Sequence, residues 1–145
     1  MDRTQAHVAD MLEFSRELME LLADKPLGDF LADRVLCLAV EKLFINLGEA
    51  AKRIDPARAS QIEGVAWSRV IGLRNILAHG YEQIEHEVLF KAVRQDLPTM
   101  ATALEAWLRL EEWMNFLHVA GTVVSVQDIS RASSNVMVAE YIRIS

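Results

Sequence analysis

At 145 residues and 52% hydrophobic, the chain carries enough apolar material for one domain with a real core, alone or with a short appendage, and this excludes a disordered polypeptide. A net charge of −6 argues against general nucleic-acid binding through overall positive potential, so any such contact has to be local. The single cysteine, Cys37, excludes an internal disulfide and a cysteine-based zinc site, and no apolar run approaches the ~18 residues of a membrane span.

The opening stretch, MDRTQAHVADMLEF, has charges where a signal peptide would need an apolar centre, so a cytoplasmic location is expected. Asp2 to Ala23 reads as a first helix, with Val8, Met11, Leu12, Ser15, Leu18, Met19 and Leu22 on one stripe. Lys25-Pro26-Leu27-Gly28 breaks it. A second helix is expected from about Asp29 to Ile54, apolar around much of its circumference, which demands cover on more than one side by the bundle core and by a second subunit. Cys37 falls within it and reads as a small buried side chain. Asp55-Pro56 is a helix-start signal, the Asp capping and the Pro at the first position, for a short helix over residues 56–62.

A further helix is predicted from Trp67 to His79, with Val70, Ile71, Leu73, Ile76 and Leu77 supplying apolar contacts and Gly80 placed where a C-terminal stop glycine belongs. After a polar connection, Glu82 to Glu85, the series Leu89, Val93, Leu97, Met100, Leu104, Trp107 and Leu108 predicts a long helix from His86 to Leu110 or beyond, kinked or divided by Pro98. Beyond about Asn115 the character changes. Residues 122–126 and 136–144 are rich in β-branched side chains around a polar, turn-like stretch. A hairpin, an exchanged segment, a partner-binding extension and an unordered tail all fit that composition. We therefore read an all-α, up-down helical bundle over residues 1–113 and an extension of unknown role, with some β signal, over residues 114–145.

Arg74-Asn75-Ile76-Leu77-Ala78-His79-Gly80-Tyr81 is where an arginine, a histidine and a tyrosine stand close enough to be presented together at one helix end. At ~100° per residue, Arg74 and Tyr81 fall nearly in line and His79 lies ~140° round from Arg74, so all three would border one cleft. His79 would sit at the negative end of the helix dipole, and a histidine can give or take a proton at cellular pH. Arg-x4-His alone arises by chance roughly 0.3 times in such a chain, whereas adding x-Tyr lowers the expectation to roughly 0.004. The bland alternative is a capping histidine and a solvated arginine.

Other motifs carry less. There is no GxGxxG and no P-loop, hence no case for a nucleotide cradle. His86 with Glu82 and Glu85 matches no standard metal spacing, and no Ser or Cys nucleophile has a convincing His partner, so neither a metal nor a cofactor is expected. Trp67, Trp107 and Trp113 adjoin apolar helical patterns and read as packing anchors rather than base-stacking platforms. Lys52, Arg53, Arg58, Arg69 and Arg74 are the candidates for a confined basic patch. In the second helix, Asn46 or Glu49 would orient Arg74 or His79, unless these polar residues are merely exposed or hydrogen-bonded at a dimer seam.

The string Ile71 to Tyr81, preceded by Leu47-Gly48-Glu49-Ala50-Ala51 and followed by Ile84, Val88-Leu89 and Asp96-Leu97-Pro98, resembles the HepT-like family of HEPN proteins over roughly residues 2 to 111. The resemblance implies a helical bundle that pairs as a homodimer and brings two copies of the motif to a shared cleft. It further implies a metal-independent endoribonuclease, the toxin of a type VII toxin–antitoxin system, with RNA as substrate. By position, Arg74 and His79 would be the catalytic pair and Asn75 a supporting polar residue. Tyr81 would be the side chain that an MntA-like minimal nucleotidyltransferase antitoxin modifies with AMP. A second reading, of a different class, is a non-catalytic subunit that helps such a nucleotidyltransferase hold its substrate. The tail beyond residue 115 departs from the family pattern.

Overall fold

The computed structural model of the chain describes residues 2–80 and 84–121. All of its regular structure is helical, and the described residues include no strand. They fall into two units that divide between Leu108 and Arg109.

Helix α1 runs Thr4–Leu22 and buries Val8, Met11, Leu12, Ser15, Leu18 and Leu22 of the predicted stripe, with Met19 only partly buried. Ser15 is fully buried, and its hydroxyl donates to the Met11 carbonyl at 2.8 Å, so the polar group inside the core is satisfied. The end of α1 is held from a distance. Arg94 donates to the carbonyls of Ala23 and Lys25, and its guanidinium lies 4.9 Å from the centre of the Phe90 ring.

The long second helix expected from Asp29 to Ile54 is two helices, α2 (Leu27–Ala32) and α3 (Arg34–Lys52). Asp33 divides them. Its backbone is extended (φ −97°, ψ 92°), and its Oδ1 accepts from the Leu36 N–H at 3.0 Å, the bond of an N-cap. α3 is the central element and packs most extensively against α1 and α5. It buries Leu36, Val40, Phe44, Leu47, Gly48, Ala50 and Ala51 together with Cys37, whose thiol donates to the Phe30 carbonyl. Burial, aided by Asp33 and Glu41, pushes the Cys37 thiol pKa up, which keeps it protonated.

α4 is the single turn Pro56–Ala59, and Asp55 caps it by accepting from the Ala57 N–H at 2.9 Å. α5 spans Trp67–His79, the bounds predicted for the motif helix. It buries no residue completely, so it is laid onto α3 rather than driven through the core.

The last predicted helix is divided, by a widened turn just ahead of Pro98. α6 (His86–Lys91) passes into a π-helical turn at Ala92–Asp96, and α7 then runs Leu97–Val119. Pro98 offers no N–H and its ring crowds the preceding turn, so a widened turn just ahead of it loses little that the regular ladder would have kept. Leu89, Val93, Leu97, Met100 and Leu104 remain buried through the change of pitch. α7 also continues past Asn115, where the composition had suggested a different structure. The β-branched stretches at 122–126 and 136–144 lie outside the described residues.

Candidate functional site

α5 presents its motif through three local features. Its apolar residues Val70, Leu73 and Leu77 pack against the core periphery, Gly80 terminates it, and Gly48 of α3 lets it come close. Gly80 adopts the left-handed conformation (φ 64°, ψ 16°), and its N–H donates to the Ile76 carbonyl at 3.1 Å, the C-terminal stop that the sequence implied. His79 therefore sits in the last turn, and it is exposed.

Arg74 lies on the side of α5 that faces α3. Its side chain is only 16% exposed, and its guanidinium is held at both ends. One terminal nitrogen, Nη2, forms an ion pair with Glu49 Oε1, and the other, Nη1, donates to Asn75 Oδ1 at 2.9 Å. Its Nε is buried and meets no hydrogen-bond partner among the described residues. Arg74 is thus not the freely solvated arginine of the bland alternative. Of the two α3 side chains expected to orient the motif, Glu49 is the one joined to it. His79 lies on the same helix five positions on, about 7.5 Å further along the axis and ~140° round. Tyr81, the proposed modification site, falls outside the described residues.

Of the five candidates for a confined basic patch, three are paired with carboxylates. Arg58 pairs with Asp2 at 3.2 Å and lies 5.5 Å from the centre of the Trp107 ring, Arg69 stands 3.7 Å from Asp96, and Arg74 is paired with Glu49. Lys52 occupies the last turn of α3 and Arg53 its C-cap, where cations complement the helix dipole. The hydrogen bonds from Thr4, with Arg58 nearby, hold the Asp2 carboxyl below its ordinary range. His86 stands 3.1 Å from Glu41 Oε1 and edge-on to Phe30, and among the described residues no three metal-ligating side chains converge. Trp67 and Trp107 pack at the margin of the core, as anchors should, whereas Trp113 stacks on Phe116, which is exposed.

Sequence reading missed two features. One is a groove of about 860 Å³ walled chiefly by apolar side chains, among them Phe44, Leu73, Ile76, Val88 and Met100. Neither Arg74 nor His79 is among its described lining residues, so it is separate from the polar cluster. The other is Gly48. A glycine within a 19-residue helix, four residues short of its end, costs stability relative to alanine, and that cost was the available signal that a neighbour needs the space.

Comparison with known proteins gives this arrangement a context. The family model described as "Ribonuclease HepT-like" matches residues 11–107. A Methanocaldococcus jannaschii protein named "Putative RNase MJ1380" is 30% identical over 101 residues, covering 70% of this chain and 93% of that protein. A Thermococcus cleftensis protein named "Probable ribonuclease HepT" is 29% identical over 100 residues, 66% of this chain and 91% of that one. A Caldanaerobacter subterraneus protein named "Putative RNase TTE0752" is 24% identical over 106 residues, 73% of this chain and 92% of that one. No solved structure gives a significant match. No described helix is long and apolar enough to cross a membrane. With a match spanning α1 to α7 and including the whole of α5, the chain belongs to the ribonuclease HepT-like family.

Proposed function

We propose that this protein is a metal-independent endoribonuclease of the HEPN type, the toxin of a toxin–antitoxin pair, working as a homodimer. The observation that carries the proposal is the held guanidinium of Arg74, one and a half turns before a histidine at the exposed end of the same helix. RNA supplies its own nucleophile. The 2′-hydroxyl oxygen bonds to the adjacent phosphorus while the bond from phosphorus to the 5′-oxygen breaks, leaving a 2′,3′-cyclic phosphate and a 5′-hydroxyl. One proton leaves the 2′-oxygen and one arrives at the 5′-oxygen, tasks suited to histidine. The planar, permanently charged fork of Arg74 matches the phosphorane oxygens, with Asn75 supporting its orientation. One imidazole does not act as acid and base in the same step, so two copies of His79 across a dimer divide the work.

Tyr81 follows Gly80 directly and is the site we assign to regulation. Its phenolic oxygen displaces pyrophosphate from the α-phosphorus of ATP on an MntA-like nucleotidyltransferase, forming a tyrosyl–AMP ester. The added bulk and negative charge then stand where RNA phosphate has to approach.

The purified, unmodified protein is expected to cut RNA in EDTA and leave cyclic phosphate ends, while DNA survives. Arg74→Ala and His79→Ala each abolish cleavage with the helical circular dichroism unchanged, and treatment with the nucleotidyltransferase and ATP adds one AMP to the Tyr81 peptide and stops cleavage. Full activity in the His79→Ala protein rules out the assignment. A chain that binds the nucleotidyltransferase but cuts no RNA and arrests no growth is instead the binding subunit.

A further inference from the structure

α5 approaches α3 most closely where Gly48 faces Arg74. A Cβ built on Gly48 would collide with the Arg74 Cβ, lie 2.8 Å from its Cγ and stand 3.1 Å from the Val70 carbonyl oxygen. These are stem and backbone atoms, not the far end of a flexible side chain, so the approach itself requires glycine. The next residue, Glu49, reaches the far end of the same side chain and pairs with Nη2. Asn75 takes Nη1. The arginine is thus fixed at its base by a missing methyl group and at its tip by a carboxylate and an amide.

We propose that Gly48 and Glu49 form a cradle that sets the position and plane of the Arg74 guanidinium, and that both are positioning residues for the cleavage reaction. The kinetic part of this inference rests on the ribonuclease reading; the geometric part does not. Each terminal nitrogen of Arg74 carries two N–H groups, so one on each stays available to a phosphate oxygen while the other is held. Glu49 also cancels charge beside the phosphate site, which weakens binding of the RNA ground state. Its removal therefore releases charge and loses alignment together, and the two consequences fall on different kinetic constants. A residue that only stabilised the fold would not divide them.

The experiment uses the full-length protein. Glu49→Ala is expected to lower kcat by roughly ten- to a hundredfold, the scale at which loss of alignment by about an ångström acts, with KM unchanged or reduced. Glu49→Gln keeps an acceptor oxygen and restores kcat to within about threefold of wild type. Gly48→Ala behaves as Glu49→Ala does, and if that variant fails to fold the Glu49 pair still decides. Independently of activity, the Arg74 Nη signals in a 15N spectrum are resolved in the wild type and Glu49→Gln and collapse to one rotationally averaged signal in Glu49→Ala. An unchanged kcat in Glu49→Ala, beside an active wild type, overturns the cradle and leaves the ribonuclease standing. A wild type that cuts no RNA overturns the ribonuclease, and the arginine spectrum then settles the cradle by itself.

Discussion

Gly80 and Gly48 bracket the same arginine and histidine for opposite reasons. Gly80 is needed for its backbone: φ is 64°, while an added Cβ would meet no atom of the described residues within 4 Å. Gly48 is needed for its missing side chain, inside a regular helix. Gly80→Ala is therefore expected to cost about 1 kcal/mol through left-handed strain alone, read as a lower urea midpoint with an unchanged slope. An unaltered midpoint would mean that the terminus relaxes into another cap. The two glycines also divide what a sequence can convey. Gly80 was legible because a stop glycine follows its own helix. The partner of Gly48 lies 26 positions away, and the register of one helix on another is fixed by packing that no local pattern contains. For the same reason Arg74 and His79 were named from spacing, whereas the choice of Glu49 over Asn46 as the companion of Arg74 had to come from coordinates.

Among the elements, α1 was read well because it carries one apolar stripe ahead of a proline break, and α5 because Gly80 is a plain stop signal. The junction of α2 and α3 was missed because Leu31, Val35 and Leu36 carry an unbroken apolar rhythm across it, and rhythm was given precedence over capping chemistry. The missed signal was Asp33, three residues before Leu36, whose N–H it accepts. Asp33→Ala is expected to destabilise the protein by about 1 kcal/mol, and Asp33→Asn by much less, since asparagine caps about as well. Chemical denaturation of the two variants side by side tests this, and equal losses would place the importance of Asp33 in its charge. The π turn at Ala92–Asp96 had no sequence signature beyond Pro98. A proline states that the ladder loses a bond, not how the turn ahead of it rearranges, and here Val93 and Leu97 stay buried through the π turn.

At the scale of the whole molecule, the expectation that the apolar second helix needs cover is only partly met by a single copy of the chain. α1 and α5 cover two sides of α3, yet Val35 stays 78% exposed and Leu38 48%, as does Leu31 of α2 at 46%. Val35, Leu38, Lys42, Ile45 and Glu49 follow one another at steps of three and four, the spacing of a stripe that pairs with another helix. The stripe runs about 21 Å from the greasy end of α3 to the carboxylate that holds Arg74. A second copy seated on it with the two α3 helices parallel about a two-fold axis would cover the apolar end and place both Arg74 side chains at the same end of the pair, which is what a shared cleft requires. The isolated subunit loses little if Val35 or Leu38 becomes charged, because solvent already reaches both. Val35→Glu combined with Leu38→Glu is therefore expected to leave helicity intact, to halve the mass found by sedimentation, and to remove RNA cleavage with it. A double variant that stays dimeric would move the seam elsewhere, with the apolar groove beside α5 as the next surface to alter. One that becomes monomeric and still cuts RNA would show that a single copy of Arg74 and His79 is sufficient.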